Sequence, residues 1–313
     1  MSESTPFFSV VIPAYNRPHS LRLALRSVVS QTFKDFECLV IDDGSKDAES
    51  IKREVDALND PRFTYHRQSN GGACKARNYG IRLARGGYIA LLDSDDQFLQ
   101  NKLAQYHDSI QTSEHSGQLF IYSQLIVDRG QSKTWIKPAR GLRDCERMDE
   151  YLMCTHGWAQ TSTQVLSSKL AKSVLFNEAL PSSQDTDFAI RCWDAKATVV
   201  FIDRPLTIMN DVYDPERVSK QSNYLKLKQW VDSNKGNLLS NKAYWGYVGW
   251  EIARIASYTN RKEGYKYYFK ALLFFPYSLK MAILIFAQVC IPQAIYQKFA
   301  TTVVRFFGLA TND

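Results

Sequence analysis

Over about the first 95 residues, apolar positions fall alternately into short unbroken runs and helical stripes. Phe8-Ser9-Val10-Val11-Ile12 is a nearly continuous apolar run, closed by Pro13 and the turn formers Asn16 and Pro18. Leu21, Leu25, Val28 and Val29 then recur at helical spacing. Cys38-Leu39-Val40-Ile41 predicts a second strand, stopped by Asp42-Asp43-Gly44-Ser45. A polar helix over Ala48 to Leu58 and a third strand at Phe63 to His66 follow. Asn70-Gly71-Gly72 opens a helix running from Ala76 to Ala84, and Tyr88-Ile89-Ala90-Leu91-Leu92 makes a fourth strand. Strands without polar alternation, separated by helices, predict a parallel sheet covered on both faces. Ligands of such sheets sit at the carboxyl ends of the strands. Tyr15-Asn16-Arg17, Asp42-Asp43 and Asp93-Ser94-Asp95-Asp96 all collect there.

The pattern then loosens. Leu119 to Val127 reads as a strand, Asp128 to Cys154 as a basic, polar loop, and Ala197 to Ile202 and Leu206 to Met209 as a strand pair. Beyond Val218 the periodicity is helical to the end, without repeats or low-complexity tracts. This predicts an α/β domain over residues 1–215, with a nucleotide half of about 1–100 and an acceptor half of about 101–215, followed by a helical region at 216–313.

Composition adds little until charge is located. A hydrophobic content of 45% with 23% charged residues argues for a folded chain. The six scattered cysteines, with no C-x-x-C pair, predict buried free thiols in a reducing compartment and not a disulfide or zinc framework. Met1 to Pro6 lacks the basic and apolar regions of a secretory signal. Of the net charge of +7, most lies from Arg261 to Asp313, where seven Lys/Arg face two Asp/Glu among twelve aromatic residues. Apolar runs there (Ala271–Phe275, Met281–Phe286 and Val303–Phe307) fall short of the roughly 20 residues a membrane span needs. The expectation is an interfacial anchor on an acidic membrane surface, with no nucleic-acid partner. A helical cap on the catalytic domain, or a re-entrant or short spanning helix, is the alternative.

Three constellations carry candidate chemistry. Asp93, Asp95 and Asp96 repel one another unless a hard cation such as Mg²⁺ or Mn²⁺ lies between them; a solvated, helix-capping turn is the plainer reading. In Ile41-Asp42-Asp43-Gly44-Ser45 a carboxylate can accept from a nucleobase imide or ribose hydroxyl, although Asp-Gly is also a common turn pair. The glycine pair Gly71-Gly72 ahead of Lys75 and Arg77 suits a pyrophosphate, but forms neither a Walker A loop nor G-x-G-x-x-G.

Taken in order, Val10-Val11-Ile12-Pro13-Ala14-Tyr15-Asn16-Arg17, Ile41-Asp42-Asp43-Gly44-Ser45, Ala76-Arg77-Asn78-Tyr79-Gly80 and Leu92-Asp93-Ser94-Asp95-Asp96 closely resemble the family 2 glycosyltransferases. The likeness is strong over residues 8–100 and extends to about 210. It implies a GT-A-type nucleotide-binding fold, an α/β mixed and mainly parallel sheet flanked by helices. It also implies inverting transfer from a nucleoside-diphosphate sugar, UDP-type favoured, to a glycan or lipid-linked acceptor on the cytoplasmic face of a membrane. By resemblance, Pro13, Tyr15 and Asp43 line the nucleoside pocket with Asp42 close by, and Arg77 and Asp93 lie at the donor. Asp95 and Asp96 would hold a divalent Mg or Mn ion.

Inversion needs a base on the acceptor side. The resemblance of Ser183-Gln184-Asp185-Thr186-Asp187-Phe188 assigns it to Asp185, with Asp187 competing. Both residues also suit the acidic first turn of a helix. The Q-x-x-R-W motif of processive synthases is missing, which favours single-sugar addition. A sugar-nucleotide nucleotidylyltransferase would need a G-x-G-x-R-L loop where this chain has Pro13-Ala14-Tyr15-Asn16-Arg17. An inactive nucleotide-sugar-binding protein would not need the carboxylates and the candidate base.

Overall fold

The structure is a computed structural model that describes residues 5–112, 117–130, 134–155, 157–211, 223–275 and 277–291. The chain divides into two compact units, 1–141 with 159–178 and 184–213, and 142–158 with 179–183 and 214–313. The second unit thus takes in segments 142–158 and 179–183 from within the expected 1–215 domain.

The first unit opens with β1 (Phe8–Ala14), α1 (Pro18–Val29), β2 (Phe36–Asp42), α2 (Ala48–Asp56), β3 (Phe63–Arg67), α3 (Ala73–Leu83) and β4 (Tyr88–Leu91). Then come β5 (Gln97–Phe98), α4 (Lys102–Thr112), β6 (Leu119–Asp128) and β7 (Thr134–Lys137). After α5 (Met148–Cys154), which belongs to the second unit, follow β8 (Val165–Ser167), α6 (Ser168–Val174), α7 (Gln184–Asp194) and β9 (Thr198–Asn210). The sheet order is β3-β2-β1-β4-β8-β6-β9-β5, with β7 on β6. The first four strands are mutually parallel, β8 runs antiparallel to β4 and β6, and β9 is parallel to β6. The sheet is therefore mixed, and its parallel part is the one the apolar runs predict.

Every residue of β1 and β2 is buried, the physical reason these strands read as unbroken apolar runs. Leu21, Leu25 and Val28 of α1 and Ile51 and Val55 of α2 pack with Val10, Ile12, Cys38 and Val40 in one core. Each such side chain contributes about 1.5–3 kcal/mol by leaving water. Helix α3 lies so close to β1 that a Cβ on Gly80 would stand 2.4 Å from Val11 Cγ1.

Two sequence expectations change. The strand pair expected at 197–202 and 206–209 is the single strand β9, which passes Asp203-Arg204-Pro205 by shifting register against β6 between Ser123 and Ile126. Asp203 and Arg204 are exposed at that irregularity, where a proline without an N–H is tolerated. The stretch expected to be loop from 128 to 154 carries β7 and α5.

In the second unit, α8 (Tyr224–Asn234), α9 (Asn241–Tyr247), a π-helical turn (Val248–Ile252), α10 (Ala253–Thr259), α11 (Arg261–Phe274) and α12 (Leu279–Cys290) join α5. Buried Asp149 accepts from Arg147 and, at 2.7 Å, from the Ser240 amide, which ties α5 to the start of α9. Tyr268, Ala271, Tyr277, Ile285 and Val289 form the core of the last helices. Lys262, Lys266, Phe269 and Leu273 share one exposed face of α11, and Leu279, Ile283 and Phe286 share one of α12. Leu273 is 81% exposed and Leu279 77%. Among the described residues no helix is long and apolar enough to cross a membrane. The expected apolar run Val303–Phe307 lies outside the described residues.

Candidate functional site

Chain order reverses between β1 and β4, the point where an open α/β sheet leaves a crevice at its strand ends. The loops after β1 and β2 are stitched together there. The Asn16 amide donates to Ser45 Oγ at 2.9 Å, and the Lys46 amide donates to Asn16 Oδ1 at 2.8 Å. Asp42 is buried and accepts from the Ser45 amide at 2.9 Å and from the Tyr65 hydroxyl at 2.7 Å. Burial, then the bond to Asp42, push the Tyr65 phenol above its ordinary pKa. Asp43 accepts from the Gly71 and Gly72 amides at 2.9 and 2.7 Å and from Gln68 Nε2 at 2.7 Å. Its carboxylate thus latches the glycine loop. Gly44 (φ 74°) is required beside it, because a Cβ there would stand 2.7 Å from the Asn70 nitrogen. Of the other residues expected at the nucleoside, Pro13 is buried within β1 and Tyr15 is exposed at its end.

The loop after β4 holds the three remaining carboxylates in different surroundings. Asp93 accepts from Arg77 Nη2 at 2.6 Å and Asp95 accepts from Arg17 Nη1 at 3.3 Å; their side chains are 22% and 24% exposed. Arg17 therefore bridges the crevice from the β1 end to the β4 end. Asp96, expected beside Asp95 at a metal, is buried. Its Oδ2 accepts from Ser162 Oγ at 2.6 Å and Gln160 Nε2 at 2.8 Å, and its Oδ1 from the Asn210 amide at 3.2 Å. Burial, then the charges of Asp95 and Asp93, raise its carboxyl well above the usual range.

Among the described residues, no three His, Cys, Asp or Glu side chains are grouped to hold an ion by themselves. Asp93 and Asp95, each partly exposed and paired with an arginine, are the carboxylates that could ligate a hard ion here.

Arg77 carries this loop to α7. It is buried, lies 5.2 Å from the Phe176 ring centre, and donates to Gln184 Oε1 at 2.9 Å as well as to Asp93. Burial works against its charge, but Asp93, Cys74 and Asp185 together more than offset burial and raise its pKa. Asp185, next to Gln184, is half-buried and accepts from the Thr186 amide at 2.8 Å. Asp187 is buried and bound to Arg191 one turn on, at 2.6 and 2.8 Å.

Sequence reasoning gives no role to Gln160, Ser162 or Lys102, which support the loop from the interior. Lys102 is the residue that pattern exposes: it shares the buried face of α4 with Leu103, Tyr106 and Ile110. All six cysteines are free and four are buried; burial pushes the Cys74 thiol up to about 11, which suits packing and not nucleophilic work.

An α/β sheet with carboxylates and arginines gathered at its switch point has the layout of a ligand site at strand ends. The glycosyl transferase family 2 model matches residues 9–168, and the chain belongs to that family. It is 32% identical over 247 residues to the amylovoran biosynthesis glycosyltransferase AmsB of Erwinia amylovora, covering 76% of this chain and 80% of that protein. It is 36% identical over 134 residues to the putative colanic acid biosynthesis glycosyl transferase WcaA of Escherichia coli K12, covering 41% and 46% of the two chains. Two solved structures share the fold. Staphylococcus aureus TarS 1-349 in complex with UDP-GlcNAc aligns with a TM-score of 0.57 at 18% identity over 96% of this chain and 88% of that one. The mannosyltransferase PcManGT of Pyrobaculum calidifontis, in complex with GDP-Man and Mn²⁺, aligns with a TM-score of 0.57 at 13% identity over 98% and 87%. The GT-A-type architecture and glycosyltransferase class expected from sequence are thus borne out.

Proposed function

We propose that this glycosyltransferase adds a single sugar, with inversion, from a nucleoside-diphosphate sugar to a glycan or lipid-linked acceptor in cell-surface polysaccharide synthesis. The observation that carries this reading is the Asp93–Arg77–Gln184 chain, which couples the carboxylate loop to the helix bearing Asp185. Asp185 takes the proton of the acceptor hydroxyl, whose oxygen bonds to the anomeric carbon as the sugar–phosphate bond breaks on the opposite face. The bonding pair leaves with the diphosphate. Arg17 and Arg77 offer positive charge to the phosphates, Asp93 and Asp95 hold the metal side, and Asp96 fixes the loop from within. A divalent ion, when bound, screens the charge developing on the leaving diphosphate. Tyr15 and the Asp42–Asp43 corner face the nucleoside.

The amylovoran and colanic acid relatives favour a polysaccharide pathway, and the UDP-GlcNAc complex of TarS and the GDP-Man complex of PcManGT favour a nucleotide-sugar donor. The exposed apolar and lysine stripe of α11, with that of α12, favours peripheral attachment to the inner membrane face. A panel of UDP-, GDP- and dTDP-sugars assayed for Mn²⁺-dependent release of nucleoside diphosphate tests the reading. Release from one donor, stimulated by a glycan or lipid acceptor, is expected; neither binding nor release across the panel would overturn it.

A further inference from the structure

Beneath the carboxylate loop lies a lysine without solvent access. Lys102 is fully buried, and its ammonium donates to the Ser162 carbonyl at 2.8 Å and to Thr207 Oγ1 at 2.9 Å. The ammonium stands 4.4 and 4.7 Å from the ring centres of Phe98 and Tyr106. Thr207 donates in turn to the same Ser162 carbonyl at 3.1 Å. One turn along α4, the Tyr106 hydroxyl donates to the next carbonyl, that of Thr163. Two residues on one face of α4 therefore grip the backbone of the Thr161–Thr163 turn from one side. On its other side, Ser162 Oγ accepts from the Asp93 amide at 2.9 Å and donates to Asp96, while Gln160 Nε2 donates to both carboxylates.

A buried lysine adds little stability. Burial opposes its charge, and a hydrocarbon of the same length would fill the space without that cost. What the ammonium supplies is direction: two bonds that fix one carbonyl and one hydroxyl of the supporting network.

We propose that Lys102 is a positioning residue, which acts through the Gln160–Thr163 turn to hold Asp93 and Asp96, and with them the carboxylate loop, in place at the donor diphosphate. The inference rests on the reading of that loop as the donor site. It differs from a packing role in what it asks of a neutral, isosteric replacement.

The test titrates wild type, Lys102→Met, Lys102→Gln, Ser162→Ala and the Lys102→Met/Ser162→Ala double variant with UDP and GDP in Mn²⁺, alongside thermal melts. Positioning predicts that Lys102→Met melts within a few degrees of wild type, yet binds nucleotide roughly 10–100-fold more weakly. Lys102→Gln, which keeps a donor, recovers part of the loss. The double variant loses little more than the worse single one, because both act on one turn. Wild-type affinity in Lys102→Met would overturn the proposal, as would full additivity in the double variant. If Lys102→Met does not fold, Thr207→Val removes one seat of the ammonium and makes the same comparison. Weakened binding at an unchanged melting temperature then supports positioning, and unchanged binding refutes it. A wild-type protein that binds neither nucleotide removes the donor-site reading, and this proposal with it.

Discussion

The Arg191 guanidinium closes on the Asp187 carboxylate at 2.6 Å, one helical turn away, and so commits Asp187 to the interior while Asp185 stays half-buried at the helix start. The two aspartates, equivalent as candidates in the sequence, separate into different tasks. Asp187→Asn is expected to cost about 2–3 kcal/mol of stability, below the fully buried limit because Arg191 retains 25% exposure. Asp185→Asn is expected to leave the melting temperature near wild type and lower transfer by roughly 10²–10⁴. Denaturant melts and a transfer assay on both variants check the pair; the reverse assignment would move the base to Asp187.

The proposed metal role of Asp93 and Asp95 makes a separate prediction. Excess chelator should abolish transfer, and added Mn²⁺ or Mg²⁺ should restore it. Asp95→Ala should weaken nucleotide binding in Mn²⁺ far more than in chelator. Full transfer in chelator would show that the arginines alone suffice.

Asp43 gives a prediction about stability and binding together. In Asp43→Asn, an amide NH₂ must face at least one N–H donor of the glycine loop, at a cost of about 1–3 kcal/mol. Nucleotide affinity should fall with it. An unchanged unfolding midpoint would mean that the loop does not depend on this latch.

The exposed stripe on the last helices can be tested without truncation. Leu273→Glu and Leu279→Glu change side chains that are largely solvent-exposed, so the fold should persist. Sedimentation with phosphatidylglycerol vesicles should be lost in the double variant, and in the wild type should weaken with salt. Equal sedimentation of both proteins would remove these residues from the membrane contact.

How much the sequence discloses depends on burial. Strands β1, β2 and β4 are legible because a strand covered on both faces has almost no polar position to interrupt it. The two-residue β5 has no run to read, and β9 looks broken because exposed Asp203 and Arg204 followed by Pro205 resemble a turn. The site divides in the same way. Asp42, Asp43, Asp93 and Asp95 stand out because polar groups directly after apolar strands are conspicuous. Asp96 cannot be told from Asp95 in sequence, since its inward turn is set by Gln160, Ser162 and Asn210, 64 to 114 residues away.

The bond from the Asn210 amide to Asp96 also bears on the timetable of synthesis. Strands β1 to β4 pair with one another within the first 91 residues, so their pairing needs no later part of the chain. The carboxylate loop does: β5 waits for β9, and Asp96 waits for Asn210. In a growing chain the parallel strands can therefore pair while the carboxylate loop still lacks its anchors, until about two thirds of the chain has emerged.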